Sequence, residues 1–162
     1  MTKISSYDYI IVGAGSAGCV VANRLGAKPD LKILVVEAGG KDWWFNWKIH
    51  MPAAFAYPLA NDRVNWYYHT EPEPYLDNRS IYCPRGRVIG GSSSINGMCY
   101  IRGHARDYDR WAQAGLTGWS YADILPYFRR AEDHEAGADD YHGTDGPLRV
   151  SHPRQENPLY RA

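Results

Sequence analysis

The sequence predicts an α/β fold of the Rossmann type, and three observations near its N-terminus support this. Residues 7–12 form an apolar, β-branched segment typical of a buried strand. This segment leads directly into the glycine-rich turn Gly13-Ala14-Gly15-Ser16-Ala17-Gly18, and a second apolar segment, residues 32–36, ends in the acidic Glu37. Strand, glycine turn, helix, strand and terminal acid in this order are typical of a βαβ unit that binds a dinucleotide. We therefore expect a βαβ unit over residues 7–37.

The glycine turn has a physical reason for each of its small residues. Gly13 makes the tight turn, Gly15 lets the backbone approach a pyrophosphate, and Gly18 lets the following helix pack close to the strand. We expect that helix from about Ser16 to Leu25, with free N–H groups at Ser16 and Ala17 facing the phosphates. The predicted phosphate-binding residues are therefore Gly13, Gly15, Ser16, Ala17 and Gly18.

The acid at the end of the second strand limits the choice of cofactor. In this fold Glu37 would accept hydrogen bonds from the hydroxyls of an adenosine ribose, and it would repel a 2′-phosphate. The next residue, Ala38, belongs to the same predicted site. NADP is therefore disfavoured, whereas FAD and NAD both satisfy the pattern.

A second glycine-rich segment lies outside the βαβ unit. Residues 86–109 have the sequence GRVIGGSSSINGMCYIRGHARDYD, which resembles a signature of the glucose–methanol–choline (GMC) oxidoreductase family. Further agreement comes from residues 7–15, Val36-Glu37-Ala38-Gly39, Asn65-Trp66, Thr70-Glu71-Pro72, Gly118-Trp119-Ser120 and residues 142–147. The resemblance covers nearly the whole chain, and it is greatest to the bacterial choline dehydrogenase and aliphatic-alcohol dehydrogenase branch. It implies a GMC-type FAD-binding fold.

The resemblance also implies which residues of the second segment contact the flavin. Gly90 and Gly91 would bring the backbone close to the ring, with Ser92 beside them, and the Asn96 amide would hydrogen-bond the ring's polar edge. The flavin contacts implied by the resemblance are Val88, Asn96, Gly97, Met98 and Cys99. Some family members attach FAD covalently through a histidine, and Ile95 occupies that position in this chain. We therefore expect non-covalent FAD.

The activity implied by the resemblance is oxidation of a primary alcohol, such as choline or an aliphatic or aromatic alcohol, to an aldehyde. A base removes the hydroxyl proton, and a hydride moves from the alcohol carbon to flavin N5. Electrons then pass to oxygen, a quinone or another acceptor. In the family the catalytic histidine lies near the C-terminus, so it is expected beyond Ala162 and we name no catalytic residue in this chain. The chain is expected to be an N-terminal part, inactive alone and without the C-terminal substrate domain.

Two other interpretations remain open at this point. An NAD-linked dehydrogenase would explain residues 7–37 but leaves residues 86–96 without a role. A truncated, non-catalytic nucleotide-binding module is the other. A serine hydrolase is disfavoured, because Ser92, Ser93 and Ser94 do not lie in a G-x-S-x-G nucleophile elbow.

Composition excludes several classes of function. The 162 residues include 18 basic and 18 acidic residues without a basic patch, so nucleic-acid binding is not expected. Cys19, Cys83 and Cys99 are unclustered, which favours reduced thiols in a cytoplasmic protein; we place Cys19 in the core. The histidines are dispersed, so no metal site is expected. No apolar segment is long enough to span a membrane; peripheral attachment at the cytoplasmic face and a homo-oligomer stay open.

The remaining segments predict a domain that continues to residue 162. Residues 39–85, rich in aromatic residues and proline, are expected to form an irregular excursion that covers the flavin. The flavin loop follows at residues 86–103, and a helical segment at 105–135.

Within the helical segment, we expect one helix over Ala105–Ala114. A second is expected after Ser120, with a capping box to Asp123. Pro126 should kink or interrupt it and start a helix that runs to His134. An acidic cluster, Glu132, Asp133 and Glu135, is expected as a solvated helix end, and a strand is expected from Leu148.

Overall fold

The computed structural model describes residues 6–154 of a chain that divides into two compact units, Met1–Cys99 and Tyr100–Ala162. The sequence predicted a single FAD-binding part over residues 1–162, and the boundary between the two units falls within the predicted flavin loop, residues 86–103. The ends of that prediction, residues 1–5 and 155–162, lie outside the described residues. No helix of residues 6–154 is both long and apolar enough to cross a membrane.

The first unit begins with the predicted βαβ arrangement. Strand β1 (Tyr9–Val12) leads into helix α1 (Ser16–Gly26), which is followed by strand β2 (Ile33–Val36). The two strands pair in parallel, with Tyr9 opposite Ile33 and Val12 opposite Val36. This register places the ends of both strands, and so Gly13 and Glu37, at the same edge of the sheet.

The aromatic excursion is irregular, as its prolines predict. It contains the short helices α2 (Trp47–His50) and α3 (Ala56–Leu59), and the antiparallel strands β3 (Tyr68–His69) and β4 (Tyr82–Cys83). The buried Asn65 holds these pieces together. Its side-chain NH₂ group donates to Leu59 O at 3.0 Å, and its Oδ1 accepts from Tyr67 N and Arg85 N, each at 3.1 Å.

The second unit packs two helices and a small sheet. Helix α4 (Ala105–Gln113) and helix α5 (Tyr121–Ala131) meet through Tyr108, whose ring lies 5.8 Å from that of Phe128. Strand β5 (Glu132–His134) follows α5 directly and pairs in parallel with β6 (Leu148–Val150). Helix α4 and the strand at Leu148 match the sequence-based expectation.

Helix α5 is not interrupted at Pro126, although interruption was one of the two outcomes predicted there, and it ends earlier than predicted. The capping box between Ser120 and Asp123 is present, but the helix continues through Pro126 without a second start and stops at Ala131. The cap fixes the first turn, and packing of Phe128 on Tyr108 holds the turn after the proline. The chain leaves the helix at Glu132 because residues 132–134 pair with β6 instead.

Two predictions about burial were wrong. Cys19 is exposed, and no residue of α1 is buried, because within residues 6–154 little packs on this helix beyond the strands beneath it. Glu132 is fully buried and is not part of a solvated helix end. The reason for the burial of Glu132 is a set of polar partners described below.

Candidate functional site

The glycine turn between β1 and α1 has the geometry that the sequence predicts. Gly13 has a φ of +93°, and its N–H donates to Val36 O at 2.7 Å, which joins the turn to the end of β2. A Cβ on Gly18 would lie 1.9 Å from Gly13 O, so only glycine allows the helix to start this close to the turn. The close packing expected at Gly18 is therefore present.

The N-terminus of α1 is left uncapped by the protein. Its N-cap is Gly15, which has no side chain to accept from the first turn, and the first helical hydrogen bond runs from Cys19 N to Gly15 O at 2.9 Å. Within residues 6–154, the N–H groups of Ser16, Ala17 and Gly18 donate to no protein acceptor. Three free donors at the positive end of a helix dipole make this a suitable site for a phosphate.

Glu37 connects the end of β2 to the glycine turn. Its Oε2 accepts from Ala14 N at 2.7 Å and its Oε1 accepts from Gly39 N at 2.8 Å. A carboxylate oxygen can accept a second hydrogen bond, so the predicted ribose contact is compatible with this arrangement. The carboxylate therefore fixes the shape of the turn in addition to any ligand contact, and Ala38 is exposed beside it.

The second glycine-rich loop packs directly on the first. Gly90 N donates to Ala14 O at 2.7 Å. A Cβ on Gly91, whose φ is +57°, would lie 2.8 Å from Gly15 Cα. The structure thus brings together two segments that the sequence separates widely, and the absence of a side chain at Gly91 permits this contact.

The serine hydroxyls of the second loop serve its internal structure. Ser92 Oγ accepts from Gly86 N at 3.0 Å, whereas Ser93 Oγ donates to Gly90 O at 2.5 Å and Ser94 Oγ donates to Ile89 O at 2.8 Å. These bonds hold the 3₁₀ turn Gly91–Ser94. Among residues 6–154, none of the three hydroxyls hydrogen-bonds to a histidine or a carboxylate.

The two loops line a groove of about 440 Å³. Seven of its residues are predicted site residues: Gly13, Gly15, Ser16, Ala17, Gly18, Gly91 and Ser92. The sequence did not single out the other five as binding residues: Val12, Trp66, Tyr68, Arg85 and Gly86. Arg85 could have been noticed, since it directly precedes the second glycine-rich segment.

Asn96 and Met98 line a second cleft in the same unit, of about 270 Å³, whose other wall includes His50 and Phe55 from the aromatic excursion. Asn96 Oδ1 accepts from Met98 N at 2.8 Å, and Met98 has a φ of +60°. This bond orients the amide while its NH₂ group remains a donor. The neighbouring Gly97 and Cys99 are exposed but do not line this cleft.

Val88 does not offer a surface to a ligand. It is predicted as a flavin contact, yet its exposed fraction is 0%. Gly40 and Val88 form a parallel bridge, and Gly91 N donates to Val88 O at 2.7 Å. In this structure Val88 therefore anchors the loop from below, and Ile95, 3% exposed, does the same at the other end.

A polar cluster in the second unit was missed by the sequence analysis. The buried Glu132 accepts from Arg102 Nη2 at 2.7 Å and from Gly143 N at 3.0 Å, and it lies 3.1 Å from His142 Nδ1. Burial alone would raise the pKa of Glu132, but the hydrogen bonds from Gly143 and His142 and the charge of Arg102 outweigh it, so the pKa lies below its ordinary value. The three partners make an ionised carboxylate stable inside the unit.

His134 lies beside this cluster, and three of the side chains are close enough together to be considered as metal ligands. Ligand atoms of Glu132, His134 and His142 all lie within 4.8 Å of one another. However, the Arg102 guanidinium already holds the carboxylate and would repel a divalent cation. The arrangement is explained as an ion-pair network, and the expectation of no metal site stays a prediction.

Comparison with known proteins agrees with this geometry. The sequence profile described as GMC oxidoreductase matches residues 7–162. The chain is 56% identical over 161 residues to mitochondrial choline dehydrogenase of Mus musculus, covering 96% of this chain and 27% of the relative. It is 55% identical over 164 residues to oxygen-dependent choline dehydrogenase 1 of Chromohalobacter salexigens, covering 100% of this chain and 29% of that protein.

Solved structures give the same result for the fold. Pyridoxine 4-oxidase from Mesorbium loti matches with a TM-score of 0.87 and 39% identity, over 96% of this chain and 30% of the other. An FAD-dependent oxidoreductase from Chaetomium thermophilum matches with a TM-score of 0.83 and 33% identity, over 96% of this chain and 28% of the other. The chain spans less than a third of the proteins that it resembles. It belongs to the GMC oxidoreductase family, and its α/β fold is the N-terminal FAD-binding portion of that family.

Proposed function

We propose that the protein carrying this sequence is an FAD-dependent oxidoreductase that acts on the CH–OH group of a primary alcohol, with choline as the leading candidate. This chain supplies its FAD-binding part. The observation that carries the proposal is the contact between the two glycine-rich loops. Gly91 against Gly15 and Gly90 N on Ala14 O give the groove one wall from each loop.

The residues of the first unit fit the parts of FAD. The free N–H groups at Ser16, Ala17 and Gly18 suit the pyrophosphate, and Glu37 suits the adenosine ribose. The Asn96 NH₂ group suits an acceptor on the flavin ring. Glycine at position 91 lets the backbone of the second loop lie close to the glycine turn at Gly15.

The chemistry belongs to the cofactor, and the chain contributes binding and orientation. When bound, FAD supplies the acceptor for a hydride from the alcohol carbon. The N–H donors of the glycine turn would fix a ligand group in the groove, and the oriented Asn96 amide would fix one in the second cleft. The residues that hold the alcohol and remove its proton are expected outside this chain.

Choline is favoured because eight choline dehydrogenases are 54–58% identical to this chain. The pyridoxine 4-oxidase is less similar, at 39%. The same relatives make oxygen a candidate electron acceptor, since most of them are named oxygen-dependent. A quinone is the alternative acceptor. The nicotinamide alternative is disfavoured, because it gives the second loop no role although Gly86, Gly91 and Ser92 of that loop line the groove.

Non-covalent attachment is the proposed state of the FAD. The side chain of Ile95 is a hydrocarbon and is 3% exposed, so it offers no nucleophile to the flavin. Cys99 is exposed in the same loop, and its Sγ donates to Gly97 O at 3.6 Å. We propose no bond from that thiol.

The test is the visible absorption of the longest native form of the protein, recorded without oxygen before and after choline is added. We expect a flavin spectrum that bleaches with choline more readily than with ethanol or pyridoxine. Bleaching with pyridoxine alone would indicate that the substrate is not choline but that of another branch of the family. A bound flavin that none of these alcohols reduces would contradict the proposed activity while leaving the cofactor in place.

A further inference from the structure

The groove beside the glycine turn has a third wall that contains one positive charge. Trp66 and Tyr68 stack with their ring centres 5.9 Å apart and their planes 6° from parallel, and Arg85 lies with them along the groove. The same groove is lined by Ser16, Ala17 and Gly18, whose N–H groups are free within residues 6–154. Among the residues that the structure describes, no acidic side chain lines this groove.

Arg85 is held through its backbone and not through its charge. Its N–H donates to Asn65 Oδ1 at 3.1 Å, and its carbonyl accepts from Trp66 N at 2.9 Å. With the described part of the chain its guanidinium makes one hydrogen bond, from Nη1 to the carbonyl of the preceding Pro84 at 2.7 Å. Among residues 6–154 no carboxylate lies within ion-pair distance of this guanidinium.

The neighbouring arginine is different. Arg87 Nη2 donates to Asp62 O at 2.7 Å, and its guanidinium lies 5.4 Å from the centre of the Trp66 ring. Arg87 therefore has a structural role on the outer side of the aromatic wall. Arg85 keeps most of its five donors available, on a backbone fixed by the buried Asn65.

We infer that Arg85 binds the pyrophosphate of the dinucleotide in this groove, together with the N-terminus of α1. A guanidinium presents two parallel N–H donors to a phosphate, and such charge-assisted bonds are about twice as strong as neutral ones. The helix end and Arg85 then both contribute positive charge to the same diphosphate. The inference rests on the proposed function, because it assumes that this groove takes FAD.

The test compares FAD affinity in the full-length protein after removal of its flavin. Arg85→Gln should weaken FAD binding about 10- to 100-fold, as expected for loss of hydrogen bonds between charged groups. Arg85→Lys should recover part of the affinity, because it keeps the charge and loses the fork. Arg79→Gln is the matched control: Arg79 is exposed, its Nε donates to the local carbonyl of Leu76, and it does not line the groove.

Salt dependence separates a direct phosphate contact from a structural role. FAD affinity of the wild-type protein and of Arg79→Gln should fall steeply as the salt concentration rises. The affinity of Arg85→Gln should fall less steeply, because this variant has lost a positive charge that contacts the phosphates. Unchanged FAD affinity in Arg85→Gln, or an unchanged salt slope with weaker binding, would overturn the inference. If the wild-type protein binds no FAD at any salt concentration, the proposed function itself fails.

Discussion

At the scale of single residues, the contact between the two glycine-rich loops depends on Gly91, because a side chain at this position would overlap the first loop. Gly91→Ala should destabilise the protein by about 1–2 kcal/mol through its left-handed backbone alone, and the overlap with Gly15 Cα at 2.8 Å adds to this cost. We expect a lower midpoint of thermal unfolding and less bound flavin in the full-length variant. Gly26→Ala is the control, because a Cβ there meets no atom within 4 Å. Equal flavin content in both variants would show that the loop contact is not needed.

In the second unit, we expect replacement of Glu132 to cause a large loss in the free energy of unfolding. Glu132→Gln leaves Arg102 without its counter-charge in a site where the Glu132 side chain is 0% and the Arg102 side chain 12% exposed. Breaking a buried ion pair of this kind costs about 3 kcal/mol or more. Urea unfolding of the full-length variant should show this loss, whereas the exposed Asp140→Asn should change stability by less than about 0.5 kcal/mol. A loss below 1 kcal/mol for Glu132→Gln would mean that the ion pair is replaceable.

The same carboxylate predicts a pH dependence. Because the pKa of Glu132 in the folded protein lies below its ordinary value of 4.5, its stabilising effect is complete above that value and is lost as the pH falls through the lower, folded pKa. The free energy of unfolding of the wild-type protein should therefore fall more steeply below about pH 4.5 than that of Glu132→Gln. Parallel pH profiles for the two proteins would contradict this account of the cluster.

The residues also show what a sequence can and cannot predict about the site. Gly13, Gly18 and Gly91 could be predicted, because close backbone approaches leave glycine in recognisable spacings. Glu132 could not, because its partners Arg102 and Gly143 are distant in sequence and a run of acidic residues usually faces solvent. Val88 was predicted as a contact, but only the structure shows that it is buried beneath the loop.

At the scale of elements, helix α5 owes its start to one hydroxyl. Ser120 Oγ accepts from Asp123 N at 3.3 Å, and the Asp123 carboxylate accepts from Ser120 N at 3.2 Å. Ser120→Ala should destabilise the protein by about 1 kcal/mol, the usual cost of a lost N-cap. Ser120→Thr keeps the oxygen and should restore most of that stability. Equal unfolding midpoints for the Ala and Thr variants, measured by circular dichroism, would contradict a role for the cap.

The elements also show where local signals were overridden. The strands β1 and β2 and the helix α1 were predicted within a few residues of their bounds, because apolar periodicity and glycine spacing agree there. Pro126 was expected to kink or interrupt α5. The helix nevertheless continues, since its cap and the packing of Phe128 on Tyr108 act on both sides of the proline.

At the scale of the whole molecule, the chain exposes more apolar surface than a stable isolated protein usually does. Val12 and Ile101 are each 86% exposed and Trp44 is 85% exposed. Within residues 6–154 the β1–β2 sheet has two strands, which is marginal without further packing.

The 162 residues produced alone should therefore bind the dye ANS strongly and oxidise no alcohol, in contrast to the full-length protein. Weak dye binding, or turnover of an alcohol by the isolated 162 residues, would contradict this prediction.

The most direct test of the central claim, that two glycine-rich loops form a site for non-covalent FAD, is the flavin content of the purified full-length protein. The protein should show a flavin spectrum, and acid precipitation should release the flavin into the supernatant as FAD. Flavin that stays with the precipitate would be covalently attached. That result would contradict the non-covalent binding expected from Ile95, whose side chain is not a nucleophile. A folded full-length protein that contains no flavin and takes up none from solution would contradict the claim itself.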